Sequence, residues 1–106
     1  MRYLTIIFLL MLIPASATAQ TPVHGFGKIS CGTWLESATN EGRGAEWFMG
    51  FWAGGNALGA DTASVGSSVD ANGLMEDAKA RCRAGETSRL IEIATEMFED
   101  YRATGR

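Results

Sequence analysis

Apolar residues return at helical spacing in four stretches of this chain. The clearest is the last: Leu90, Ile91, Ile93, Ala94, Met97, Phe98 and Tyr101 make one wide stripe, opposed by Glu92, Glu96, Glu99 and Asp100. Thr87 or Ser88 is expected to cap this helix. Before it, Leu74, Ala78 and Cys82 recur every four residues and Met75 widens their stripe. Asp70 stands at the cap position and Gly85 at the stop. Near the start, Cys31, Trp34, Leu35 and Ala38 follow Ser30 at i, i+3, i+4 and i+7, predicting a short first helix that residues 40–44, with two glycines, bring to an end.

The remaining helix is read over about residues 45–58. No charged residue lies between Trp47 and Ala60. At 100° per residue, Trp47, Phe48, Phe51, Trp52 and Leu58 crowd one side, while Gly50, Ala53, Gly54 and Ala57 fill much of the other. Contacts are therefore expected on both sides, with the small side admitting another backbone. Asn56, among small and apolar neighbours, needs a hydrogen-bond partner if buried. Residues 59–69 are small and polar and read as a surface loop. Residues 20–29, with Pro22, Gly25 and Gly27, read as an extended arm. No stretch alternates as a strand does, so the expected fold is an all-α bundle of about four helices occupying residues 30–106 as a single domain.

The first 19 residues add an address rather than structure. Met1-Arg2-Tyr3 is a short positive start, Leu4 to Ile13 an uncharged apolar run, and Pro14 breaks it before Ala15-Ser16-Ala17-Thr18-Ala19. This is the pattern of a secretory signal peptide, with cleavage expected after Ala19 and a second A-x-A register ending at Ala17. The apolar run is about half the length a membrane span requires. Cleavage leaves 87 of the 106 residues and, by removing Arg2, takes the formal net charge from -3 to -4. An acidic exported chain is no nucleic-acid binder. Export also assigns the two cysteines, since Cys31 and Cys82 in an oxidising compartment have only each other to pair with.

Catalytic inventories fail. His24 is the only histidine and lies in the arm; the carboxylates fall on helix surfaces without a pairing inside an apolar pocket. One histidine and a paired cysteine couple do not make a metal site, and the run Gly50 to Gly55 sits inside an apolar helix rather than after a strand. The expectation is a protein without catalytic residues, metal or cofactor. Lys79, Arg81 and Arg83 read as helix-end charge. Glu92 with Glu96, and Glu96 with Asp100, are like charges four residues apart that repel one another near neutral pH and are relieved by acid.

The leader, Ser30-Cys31-Gly32-Thr33-Trp34, the central Trp47-Phe48-Met49-Gly50-Phe51-Trp52-Ala53-Gly54-Gly55-Asn56 and the late Cys82 together resemble the HdeA-like group of small periplasmic helical proteins. The resemblance implies a four- or five-helix domain with one disulfide between helices. It further implies a non-catalytic protein-binding module, an acid-stress holdase chaperone that exposes apolar surface at low pH. The alternative is a Rap1a/Tai-like immunity protein that inhibits a secreted toxin. Either way, the expected location is periplasmic or secreted, and the partners are other periplasmic proteins, with no membrane span after cleavage. Leftover apolar surface would serve a homodimer. The candidate binding surface or core is Trp34, Trp47, Phe48, Phe51, Trp52 and Asn56.

Overall fold

The computed structural model describes residues 23–59 and 64–106. The expected signal peptide with its cleavage site, and the first residues of the expected arm, lie outside them. A 3-10 turn at Gly25–Lys28 precedes four α-helices, α1 (Cys31–Trp34), α2 (Ala38–Leu58), α3 (Ala71–Ala84) and α4 (Leu90–Thr104). Among the described residues there is no strand, only an isolated antiparallel bridge between Ser30 and Arg89. The fold is the all-α bundle that the periodicities predict, with Cys31 joined to Cys82 at an S–S distance of 2.07 Å. That bond ties α1 to the last turn of α3, and both cysteines are fully buried.

The boundary between α1 and α2 differs from the sequence reading. Ala38 does not close the first helix; it opens the second, because the Ser37 hydroxyl accepts the Asn40 backbone N–H at 3.1 Å and starts a new capped helix. Residues 40–44 are therefore the first turns of α2 rather than a terminator. The Asn40 side-chain amide donates to the Thr33 carbonyl at 3.0 Å and closes the end of α1. Gly44 costs helix propensity here, on the order of 1 kcal/mol. It is offset by packing, since a Cβ at this position would lie inside the Trp34 indole. Trp34, wholly buried, donates its Nε1–H to the Glu41 carbonyl at 3.1 Å.

Helix α3 follows its prediction closely. The Asp70 carboxylate accepts the Gly73 N–H at 2.7 Å, Leu74, Ala78 and Cys82 face the core, and the helix stops before Gly85. Helix α4 starts where its stripe does, but its N-cap is Arg89 and not Thr87 or Ser88. The segment before α4 has another use. The Ser88 carbonyl accepts from Cys31 N–H at 2.7 Å, the Glu86 carbonyl from Gly32 N–H at 3.0 Å, and Leu90 N–H donates to the Ile29 carbonyl at 2.9 Å. Residues 86–90 are thus stitched along 29–32, and capping passes to the Glu92 carboxylate, which accepts the Arg89 backbone N–H at 3.1 Å. Those hydrogen bonds, first to the Arg89 backbone and then to its side chain, hold the Glu92 carboxyl below its ordinary value.

The arm is not extended where it is described. Gly27 is buried against the Trp47 indole, which a side chain there would overlap, and the Arg43 guanidinium lies 5.8 Å from the Phe26 ring centroid. The 3-10 turn therefore covers part of the aromatic side of α2. Ring contact with a glycine backbone, together with the stitching at 29–32, overrides the irregular local sequence.

Candidate binding site: an aromatic centre under a charged clasp

The aromatic row of α2 divides into a buried part and a half-buried part. Phe48 and Trp52 are core residues whose rings stack with centroids 5.7 Å apart. Trp47 and Phe51, also stacked at 5.5 Å, are half-buried. Trp52 meets α4 edge-on, with Phe98 at 5.1 Å and Tyr101 at 5.4 Å, and Phe51 meets Phe98 at 6.5 Å. Gly55 permits this approach, because a Cβ there would come within 2.8 Å of the Phe98 ring. Trp34 joins the same core from α1 and packs against Gly44 in the first half of α2.

The small side of α2 does not carry a second contact. A Cβ added at Gly50 or Gly54 would meet nothing within 4 Å, and Ala53 and Ala57 are exposed. The close approaches of glycine to aromatic rings occur instead at Gly27, Gly44, Gly55 and Gly66. Leu58, counted with the aromatic side from the sequence, is 90% exposed.

Asn56 finds the partner its position demands. Its amide nitrogen donates to the Val65 carbonyl at 3.0 Å and its oxygen accepts the Val65 N–H at 2.8 Å. Trp52 Nε1–H donates to the same carbonyl at 2.8 Å. Val65 itself is buried and Val69 packs half-buried against the core, so residues 64–69, read from the sequence as surface loop, are anchored by apolar side chains. Among the described residues, every buried side-chain nitrogen and oxygen has a hydrogen-bond partner.

Beside the aromatic centre lies a charged cluster that the sequence reading treated as helix-end solvation. Arg81 on α3 bonds Asp77 at 3.0 Å, Asp100 at 2.8 Å and Glu96 at 3.3 Å. Tyr101 donates its hydroxyl to Asp77 at 2.7 Å, and Arg106 reaches Asp100 at 2.9 Å with its guanidinium 4.3 Å from the Tyr101 ring centroid. Glu96 and Asp100, expected to repel, are bridged by one cation. Lys79 lies near Glu41 and Glu76, at 3.9 and 3.7 Å, while Arg83 is exposed. The signal for the clasp was present as Asp77 and Arg81 four residues apart, facing an acidic stripe on α4, but periodicity alone does not say which helix faces meet.

Partial burial pushes the Asp77 carboxyl up, but hydrogen bonds from Arg81 and Tyr101 and the charges of Arg81 and Arg106 outweigh it and leave it below its ordinary 3.8. Tyr101 is raised, by burial first and then by its bond to Asp77. Burial disfavours the Arg81 cation, yet its bonds to Asp77 and Asp100 hold the proton more firmly than in water. A carboxylate depressed in the folded state adds stability that is complete above its unfolded value and is lost as pH falls through the folded one. Urea midpoints are therefore expected to hold steady from Asp77's share between pH 7 and about pH 4 and to fall below 3.8. D77N should flatten that acid fall, and a D77N curve parallel to the parent would count against the clasp.

Among the described residues, no three side chains of His, Cys, Asp or Glu are grouped as a metal would require, and no helix is long and apolar enough to cross a membrane. His24 is exposed. An open groove of about 510 Å³ beside the start of α4 is lined by Val23, Arg89, Ile91, Glu92, Thr95 and Glu96, none of them among the six candidate binding residues.

Fold and site together define a small disulfide-joined helical domain with an aromatic centre and an ionic clasp. Compared with family models, curated proteins and solved structures, the chain matches none of them.

Proposed function

We propose that this chain is a non-catalytic exported protein-binding module, a periplasmic holdase of the HdeA-like kind that uncovers its aromatic centre in acid. The observation that carries this reading is the clasp. Arg81 holds α3 to α4 through carboxylates alone, directly beside the Trp52, Phe98 and Tyr101 cluster. Facing Asp77 are Arg81 from its own helix, the Tyr101 hydroxyl from α4 and the charge of Arg106 beyond it, while Glu96 and Asp100 of α4 face Arg81. Acid removes the negative members and leaves Arg81 and Arg106 unpaired and mutually repelling, while the disulfide keeps α1 and α3 together. Loosening would then be partial, with apolar surface offered to other chains and the covalent frame retained.

An apolar fluorescent dye should gain emission between neutral pH and about pH 3, and an acid-aggregating client should stay in solution when the protein is present. No gain in emission together with unchanged aggregation would sink the holdase reading. The immunity-protein alternative requires no acid step, and a single tight partner bound at neutral pH would favour it.

A further inference from the structure

The way Val65 is held is unusual for a loop residue. A single side-chain amide, that of Asn56, takes both its N–H and its C=O, at 2.8 and 3.0 Å, and the Trp52 indole N–H adds a second donor to the carbonyl at 2.8 Å. Its side chain is 8% exposed, seated in the core cluster. The next residue must be glycine on two grounds. Gly66 has φ +82, and a Cβ on it would come within 2.8 Å of the Trp52 indole nitrogen. Outside this site, the turn is held by Gly66 N–H to the Arg106 carbonyl at 2.8 Å, Val69 N–H to the Gly66 carbonyl at 3.1 Å, a long 3.4 Å bond from Ser67 to Ser64, and the packing of Val69 on the edge of the core. Ser64, Ser67 and Ser68 are exposed.

These are the elements of peptide recognition: a two-point amide contact to one main-chain residue, an indole donor, a slot for one apolar side chain, and an aromatic floor that excludes a Cβ at the next position. We propose that Trp52 and Asn56 form a peptide-binding site in which Val65-Gly66 is a built-in occupant. When the 64–69 turn swings away, the site takes an apolar-glycine segment of another protein. This rests on the reading of the chain as a protein-binding module and names the segment it would bind, together with the autoinhibitory contact that keeps the site filled. Affinity for an outside peptide is reduced by the small fraction of molecules in which the turn is open.

The test is made at neutral pH, without dye or client, so that failure of the acid-holdase reading leaves it intact. The probe is the synthetic peptide acetyl-Ser-Val-Gly-Ser-Ser-Val-amide, followed by the Trp52 indole N–H resonance. V65D, which drives the turn out of the slot, should bind the probe at least tenfold more tightly than the parent protein. N56A in the V65D background should abolish binding, and a probe with alanine in place of its glycine should bind at least tenfold more weakly. Equal binding by V65D and parent, or binding that survives N56A, overturns the proposal. Should V65D lose its helical signal, hydrogen exchange on the unmodified protein decides. The Val65 and Gly66 amides should then exchange at least tenfold faster than those of Phe98 and Tyr101, and matched rates overturn the site.

Discussion

Breaking the Cys31–Cys82 bond, by reduction or as C31S/C82S, is expected to lower stability by about 4 kcal/mol, the denatured-state entropy of a loop of this size in the chain-entropy model. The sequence separation is 51 residues, and both sulfurs lie in fully buried residues. Small domains commonly have about 5–15 kcal/mol in total, so this is a large share. Burial also means that the reduced thiols replace a snug covalent link inside the core rather than at its edge. Urea unfolding with and without reductant measures the change. A shift under about 1 kcal/mol would show that the stitching of residues 86–90 along 29–32, and not the bond, fixes α1.

The second large effect is expected at Trp34. Truncation to alanine removes the largest fully buried side chain and its Nε1–H bond to the Glu41 carbonyl, with a cost of about 3–5 kcal/mol. The reciprocal substitution is as informative. G44A places a methyl group where the Trp34 indole lies, an overpacking worth about 1–3 kcal/mol even though alanine is the better helix former. G50A has nothing within 4 Å to meet and should stabilise α2 by roughly the propensity difference, about 1 kcal/mol. Thermal unfolding of the three variants separates the cases, and a G44A protein as stable as G50A would show that Trp34 does not pack on Gly44.

The contrast between those two glycines shows what the sequence could tell and what it could not. Periodicity marked α3 and α4 because each buries one continuous face, and Asp70 and Gly85 bound α3 as their chemistry requires. Export logic paired Cys31 with Cys82, since two cysteines leave no alternative within one chain. The α1 to α2 junction was illegible because its reason is tertiary: Ser37 restarts a helix, and Gly42 and Gly44 read as terminators until the Trp34 ring is known to lie over Gly44. The same holds for the site. Asn56 announced a need for a partner, but its partner is a backbone nine residues away, which carries no residue-type signal. Arg81 looked like dipole compensation, because its two partners on α4, Glu96 and Asp100, become visible only when α3 is laid on that helix.

The seam between residues 29–32 and 86–90 also dictates an order of events when the chain is made. Ribosomes deliver the amino end first, so Cys31 and the backbone donors of Cys31 and Gly32 must wait until more than fifty further residues have emerged before Ser88, Glu86 and Cys82 reach them. The stretch of backbone at 29–32 therefore stays unfinished until then, and an oxidant that meets a chain delivered short of Cys82 finds a lone thiol whose only cysteine mates are on other molecules.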